Sequence, residues 1–209
     1  MATLIEDNAR VLFQGDSITD CSRNREDPSD LGKGYAMLAS SWYSAKHPEK
    51  RVEFFNRGIG GDRTSDLVRR WEEDCLALKP DLVSILIGIN NTWRRYDKND
   101  PTSVDRFEEE YRAILDSTTK ALKTKLILCE PFLLPVTVDQ KKWREDLDPK
   151  IEVVHELARE YDAILVPLDR LLQEACTKRE AAYWAADGVH PSLPGHALIA
   201  QAWLKHVGA

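Results

Sequence analysis

Short apolar runs alternate along the chain with longer segments in which apolar and polar residues recur at helical spacing. The apolar runs are only a few residues long and rich in Val, Ile, Leu and Phe. Such runs are typical of strands that are buried on both faces of a parallel sheet. They predict strands at Arg10–Gln14, Val52–Asn56, Leu82–Ile87, Lys125–Cys129 and Ile164–Pro167.

The segments between these runs predict amphipathic helices. In one of them Leu67, Trp71 and Cys75 recur at helical spacing, while charged residues such as Arg69 and Glu72 occupy the other side. A last helix follows Pro194. The full set of predicted helices is Tyr35–Lys46, Ser65–Leu78, Val104–Lys123, Trp143–Tyr161, Leu168–Lys178 and Gly195–His206.

Strands that alternate with helices predict an α/β fold, a three-layer α/β/α sandwich with right-handed crossovers. We expect a flavodoxin-like five-stranded parallel sheet. At 209 residues the chain is expected to form a single domain over residues 1–209, because that length buries a core without metal or disulfide support. In such sheets the functional crevice lies at the carboxyl ends of the strands, near the switch point.

Composition narrows the function classes. Hydrophobic residues at 43% and charged residues at 31% are ordinary for a globular protein, and the net charge of −6 argues against a nucleic-acid partner. No apolar run approaches the ~20 residues that span a bilayer, so no membrane partner is expected. The N-terminus shows no secretory pattern.

We expect reduced thiols in a cytoplasmic protein, because the cysteines form no CxxC: Cys21, Cys75, Cys129 and Cys176.

The first predicted strand ends in "GDSITD", which places Ser17 at its carboxyl end. A serine there is well placed to act as a nucleophile if a base takes its proton, whereas the alternative is a hydroxyl that caps the next helical turn. Thr19 stands where the G-x-S-x-G elbow requires glycine, so that motif is excluded. Asp16 is expected to support the turn rather than to perform chemistry.

A base is available in "WAADGVHPSLPGH", where Asp187 and His190 lie three residues apart. On one tight turn that spacing lets the carboxylate hold Nδ1 of the imidazole and leaves Nε2 free. Metal binding by Asp187, His190 and His196 is the alternative. Pro191 and Pro194 break any helical ligand face and no cysteine lies nearby, so no metal is expected.

Two further stretches follow predicted strands. "NRGIGGDRT", residues Asn56–Thr64, has glycines that let the backbone approach a ligand, although a simple turn is the alternative. A dinucleotide fingerprint fails here, because Arg63 occupies the position of its last glycine. In "ILIGINN" the strand is expected to end in Gly-x-Asn and to present the Asn90 amide to the same crevice. The four stretches together supply the parts required for acyl transfer.

In the order and content of these motifs the chain resembles the SGNH hydrolases, the GDSL esterase and lipase superfamily. The matching blocks are Gly15-Asp16-Ser17, Gly60-Gly61-Asp62, Gly88-x-Asn90 and Asp187-x-x-His190, with Ile18 in place of the family's leucine. The resemblance implies a triad of Ser17, His190 and Asp187. It also implies an oxyanion hole formed by the backbone N–H groups of Ser17 and Gly61 and by the Asn90 side chain. Gly61 is preferred to Gly60 because the family's donor precedes the Asp62 position.

"GDSITDC", "WEEDCLALKPDLVSILIGINNTWR" and "WAADGVHPSLPGH" most resemble the branch of intracellular acetylxylan and carbohydrate acetylesterases. That resemblance implies removal of acetyl groups from xylo-oligosaccharides or related sugars without a cofactor, and a homo-oligomer in some relatives. Trp93 and Trp184 are candidate platforms for a sugar ring, with core or interface packing as the alternative. The alternatives in function are a lipase or thioesterase on other small esters, and a non-catalytic flavodoxin-like binding module.

Overall fold

The five strands form one parallel sheet in the computed structural model, which describes residues 3–209. Their order is β2-β1-β3-β4-β5, which confirms the flavodoxin-like prediction. Their bounds are β1 Arg10–Gly15, β2 Glu53–Asn56, β3 Leu82–Leu86, β4 Lys125–Cys129 and β5 Ile164–Val166. The switch point lies beside β1, because the chain passes from β1 to β2 on one side of it and then crosses over to β3 on its other side.

Helices connect successive strands and cover both faces of the sheet. Among residues 3–209 no helix combines the length and apolarity needed to cross a membrane. The helices are α1 Ser17–Asp20, α2 Tyr35–Lys46, α3 Thr64–Asp74, α4 Ile89–Asp97, α5 Val104–Ala121, α6 Val138–Lys142, α7 Arg144–Glu160, α8 Leu168–Cys176, α9 Ala181–Trp184 and α10 Leu193–His206, with a 3₁₀ turn at Leu76–Leu78.

The core has two halves, one on each face of the sheet. Val11 and Phe13 of β1 join a cluster with α2, α8 and α10, whereas Leu12 between them joins a cluster with α3, α5 and α7. This alternation follows from the opposite directions of successive side chains on a strand. All three residues are fully buried, so the apolar run is explained and the three-layer sandwich is confirmed.

The predicted boundaries differ from the structure most clearly after β3. The predicted strand Leu82–Ile87 was expected to present Asn90 of Gly-x-Asn at its carboxyl end, but β3 ends at Leu86 and helix α4 begins at Ile89. The separating Gly88 has a φ of +136°, and a Cβ there would come within 3.0 Å of Pro131. The chain therefore turns at a position that only glycine occupies without strain. Asn90 lies in the first turn of a helix rather than at a strand end.

Smaller corrections concern helix ends and short helices. Helix α3 ends at Asp74, because Cys75 has a non-helical backbone and a separate 3₁₀ turn follows. Helix α10 begins at Leu193, before Pro194, since proline is tolerated in a first turn where its missing N–H has no partner. Helix α2 has the predicted bounds, whereas the predictions for α5, α7 and α8 are one or two residues too long at one or both ends. The short helices α1, α6 and α9 were not predicted.

Candidate active site

Ser17 is the first residue of α1, directly after the carboxyl end of β1. Asp16 caps this short helix, because its Oδ1 accepts the N–H of Ile18 at 3.0 Å. A Cβ at Gly15 would collide with the Leu86 carbonyl and with Thr19. The tight turn therefore needs glycine there, and it brings the half-buried Ser17 to the rim of the sheet.

Ser17, His190 and Asp187 are hydrogen bonded in series. Ser17 Oγ lies 2.9 Å from His190 Nε2, and His190 Nδ1 lies 2.6 Å from Asp187 Oδ2. Burial raises the pKa of Asp187, but hydrogen bonds from the His190 ring and from the N–H groups of His190 and Val189 outweigh it and hold that pKa below its ordinary value. The carboxylate therefore stays charged and keeps the proton of the imidazole on Nδ1, which leaves Nε2 as an acceptor.

The turn that carries Asp187 and His190 is hydrogen bonded to helix α6 and to the loop after β4. Gln140 Nε2 donates to the Asp187 carbonyl at 2.6 Å, and the N–H of Leu134 donates to the Gly188 carbonyl at 2.9 Å. Gly188 has a φ of +82°, and a Cβ there would approach Leu134 O to 2.6 Å. The close approach accounts for glycine in "DGVH". Nothing in the sequence marked Gln140 as part of this support.

The glycine loop after β2 leaves one backbone N–H free. From Gly58 to Thr64 every backbone N–H except that of Gly61 has an acceptor among the described residues. Gly60 N–H donates to Asp20 Oδ2 at 3.2 Å, and Asp62 N–H donates to the Ile59 carbonyl at 3.2 Å. Gly61 is exposed with a φ of +89°. Its N–H is the donor that the loop offers to a ligand.

Asn90 is held beside this loop. Its Nδ2 donates one hydrogen to the carbonyl of Asp62 at 3.1 Å, and an amide has a second hydrogen to donate. The next residue, Asn91, is buried and bonds to Thr64 through both ends of its amide. Helix α4 and the glycine loop are therefore tied together by two neighbouring asparagines. One of the two keeps a donor available.

The two predicted tryptophan platforms lie in different places. The half-buried Trp93 ring lies 5.9 Å from the His190 ring and 5.7 Å from Trp143. Trp184 instead donates its indole N–H to the carbonyls of Ala175 and Arg179, both at 3.2 Å. The structure thus places Trp93 beside His190, whereas the indole N–H of Trp184 is hydrogen bonded at the end of α8.

His196 lies apart from the triad and caps helix α2. Its Nδ1 accepts the N–H of Tyr35 at 3.2 Å, and its Nε2 lies 3.4 Å from Cys21 Sγ. Among residues 3–209 no group of three or more side chains is arranged to hold a metal ion. Burial lowers the pKa of His196 to about 4, with a smaller effect from His190.

This cap predicts an acid-sensitive contribution to stability. The neutral His196 stabilises the fold above its unfolded pKa of 6.5, and that stability is lost as the pH falls towards the folded value of about 4. Between pH 7 and pH 4 the loss is expected to be about 3 kcal/mol. Urea unfolding of the native protein and of His196→Asn measures it, because asparagine keeps an acceptor for Tyr35 but does not titrate. Equal losses in both proteins would contradict the prediction.

Burial favours the neutral form of the Asp16 carboxyl, as it does for the His196 imidazole. Burial raises the pKa of Asp16 to about 7, although the Ile18 N–H and His190 oppose that rise. Its Oδ2 is buried and has no partner among the described residues. Burial therefore favours the protonated form of this carboxyl, and its Oδ1 supports the turn before Ser17.

Comparisons with known proteins identify the family of the chain. The sequence model of the GDSL-like Lipase/Acylhydrolase family matches residues 13–198. An acetylxylan esterase from Geobacillus stearothermophilus is 38% identical over 206 residues, which are 95% of this chain and 94% of that protein. A protein described as a GDSL-like lipase from Parabacteroides merdae superposes with a TM-score of 0.95 at 35% identity, covering 100% of this chain and 99% of the other.

The acetylxylan esterase Axe2 from Geobacillus stearothermophilus superposes with a TM-score of 0.91 at 36% identity, over 98% of this chain and 96% of Axe2. Three of its solved variants are described as catalytic mutants, in which a serine, an aspartate or a histidine is replaced by alanine. The α/β architecture and these relatives define a carboxylic ester hydrolase. The chain belongs to the GDSL-like lipase/acylhydrolase family, which confirms the predicted SGNH membership.

Proposed function

We propose that the protein is a serine esterase that removes acetyl groups from xylo-oligosaccharides or related sugars. The observation that carries the proposal is the hydrogen-bonded series from Ser17 Oγ through His190 to Asp187. A hydroxyl becomes an effective nucleophile when an adjacent base accepts its proton, and an oriented carboxylate stabilises the imidazolium that results.

In the first half-reaction Ser17 Oγ attacks the ester carbonyl carbon while its proton passes to His190 Nε2. The tetrahedral intermediate then collapses, and the imidazolium gives that proton to the departing sugar oxygen. An acetyl group stays on Ser17. In the second half-reaction His190 takes a proton from water, the hydroxide attacks the acetyl carbonyl, and acetate leaves as Ser17 Oγ recovers its proton.

Three donors are proposed to stabilise the oxyanion: the N–H groups of Ser17 and Gly61 and the second amide hydrogen of Asn90. The free N–H of Gly61, between two neighbours that already have acceptors, supports Gly61 rather than Gly60 in this role. Donors fixed before the reaction stabilise developing charge without reorganisation. No metal or organic cofactor enters this mechanism.

The sugar substrate is supported by the relatives described as acetylxylan esterases and by Trp93. An aromatic face beside His190 suits a pyranose ring, whose C–H groups pack on aromatic surfaces. A reducing, cytoplasmic setting is supported by the four cysteines, none of which is paired in the structure. We extend the proposal to a single catalytic domain and to a homo-oligomer, which the resemblance implies for some members of the branch.

A substrate series tests the proposal. We expect kcat/KM to be highest for acetyl esters and to fall with acyl-chain length from 4-nitrophenyl acetate to the octanoate, with acetate released from acetylated xylobiose. Trp93→Ala should raise KM for acetylated xylobiose several-fold more than for 4-nitrophenyl acetate, because only the sugar uses the aromatic face. Trp42→Ala is the matched control, since its side chain is exposed on α2.

Two outcomes would contradict the sugar assignment. A steep preference for long acyl chains would indicate a lipase, and a preference for acyl thioesters would indicate a thioesterase. Absence of all ester hydrolysis, together with no adduct on Ser17 after organophosphate treatment, would favour a non-catalytic binding module instead.

A further inference from the structure

The Arg70 side chain lies beneath the glycine loop and connects it to the strand that carries the nucleophile. Its Nε donates to Asp62 Oδ2 at 2.8 Å, and its Nη2 donates to the Gly15 carbonyl at 3.2 Å. Its Nη1 donates to Gln14 Oε1 and to Asp74 Oδ2, both at 2.9 Å. One guanidinium thus joins the end of β1, the glycine loop and the end of α3.

Asp62 continues this connection towards Asn90. Its carboxylate accepts from Arg70, its N–H donates to Ile59, and its carbonyl accepts from Asn90 Nδ2 at 3.1 Å. Asp62 directly follows Gly61, and the peptide group between them is held by the hydrogen bond from Asp62 N–H to the Ile59 carbonyl. Asp62 is thus covalently joined to one proposed oxyanion donor, Gly61, and hydrogen bonded to the other, Asn90.

Gly61 itself has little else to hold it. A Cβ at Gly61 would meet no atom within 4 Å, and the residue adopts a φ of +89°. Glycine is the residue with the greatest backbone freedom, so its orientation depends on its neighbours. On one side Gly60 is bound by the buried carboxylate of Asp20. On the other side the restraint is Asp62 and, through it, Arg70.

We propose that Asp62 and Arg70 are a positioning pair that aligns the Gly61 N–H and the Asn90 amide with Ser17. Their side chains are only 13% and 14% exposed, so the pair is shielded from solvent. An oxyanion donor acts only within about 2.7–3.1 Å of the developing charge, so a loop that shifts loses transition-state stabilisation and leaves substrate binding largely intact. The planar guanidinium of arginine carries its donors on three separated nitrogens, whereas lysine has all its donors on one nitrogen and does not span the same acceptors.

This inference rests on the proposed function and is tested by variants of an active enzyme. Asp62→Asn removes the charge and keeps the main-chain carbonyl that Asn90 uses. Arg70→Lys keeps the charge and loses the multiple contacts. Each is expected to lower kcat for 4-nitrophenyl acetate by about 10–10²-fold, less than outright removal of a donor, with KM changed less than about twofold. Affinity for a boronic acid that forms a tetrahedral adduct with Ser17 should fall by the same factor as kcat.

Arg144→Lys is the matched control, because Arg144 forms a two-bond ion pair with Asp169 away from Ser17. It is expected to lower the unfolding temperature and to leave kcat unchanged. The proposed positioning role of Asp62 and Arg70 would be refuted if their folded variants kept kcat within twofold of the native value. It would also be refuted if Arg144→Lys lowered kcat by the same factor. If Arg70→Lys does not fold, Asp62→Asn decides alone. Absence of hydrolysis by the native protein would instead refute the proposed function.

Discussion

Replacing Ser17 with alanine is expected to lower kcat for acetyl ester hydrolysis by about 10⁴-fold or more. The substitution removes the hydroxyl that lies 2.9 Å from His190 Nε2 and leaves the backbone N–H of residue 17 in place. Without a nucleophile no acyl-enzyme forms, and the remaining oxyanion donors support only slow attack by water. Acetate release at saturating substrate measures the loss. The native protein, but not Ser17→Ala, should gain an organophosphate adduct on the peptide that contains residue 17.

Ser41→Ala is the control for this prediction. Ser41 is exposed on α2, and its hydroxyl contacts Met37 Sδ at 3.7 Å. Removing that hydroxyl should leave kcat within twofold of the native value. Hydrolysis that survived Ser17→Ala at a rate near that of the native protein would remove Ser17 from the mechanism, whatever the geometry around His190.

Replacing Asn90 with alanine is expected to lower kcat by about 10²–10³-fold while KM changes little. The amide contributes one of the three proposed oxyanion donors. Its other hydrogen bond, to the Asp62 carbonyl, also helps to hold the loop of Gly61. Interactions that strengthen only in the transition state affect kcat more than substrate binding. Steady-state kinetics with 4-nitrophenyl acetate separate the two parameters.

Thr92→Val is the matched control, because Thr92 lies two residues later on the same helix. Its hydroxyl is buried and has no partner in the described part of the chain, and valine has nearly the same shape. This variant should retain the native kcat. If Asn90→Ala lowered kcat/KM only by raising KM and left kcat intact, Asn90 would be a substrate-binding group and not an oxyanion donor.

The sheet could be predicted from the sequence because burial on both faces makes each strand a short, nearly continuous apolar run. β4 shows this most clearly, since Lys125–Cys129 was predicted with the bounds that the structure has. Helix α4 was not predicted, because "GINNTWRRYD" begins with residues that are typical of a turn. The φ of Gly88, which starts the helix, depends on Pro131 and Phe107 packed against it from distant parts of the chain.

The arrangement of site residues could be predicted where those residues are close in sequence and lie on one turn. Asp187 and His190 lie on one turn, so their spacing alone places them side by side. The supports for that motif come from elsewhere, and Gln140 and Arg70 have no local sequence signal that distinguishes them from surface residues. The orientation of the Trp184 side chain was also not predictable from the sequence. Its position next to a motif did not indicate the direction of its indole, which is set by hydrogen bonds to α8.

The order of the parts along the chain affects when activity first arises during synthesis. Ser17 precedes His190 by 173 positions, and helix α10, which follows the histidine, places Trp203 5.0 Å from Phe13 of the nucleophile strand. A nascent polypeptide therefore emerges from the ribosome with its serine exposed but without a base to activate it. If Ser17 and His190 act as proposed, hydrolysis requires that translation has passed residue 190, and we expect it to begin when helix α10 packs against β1.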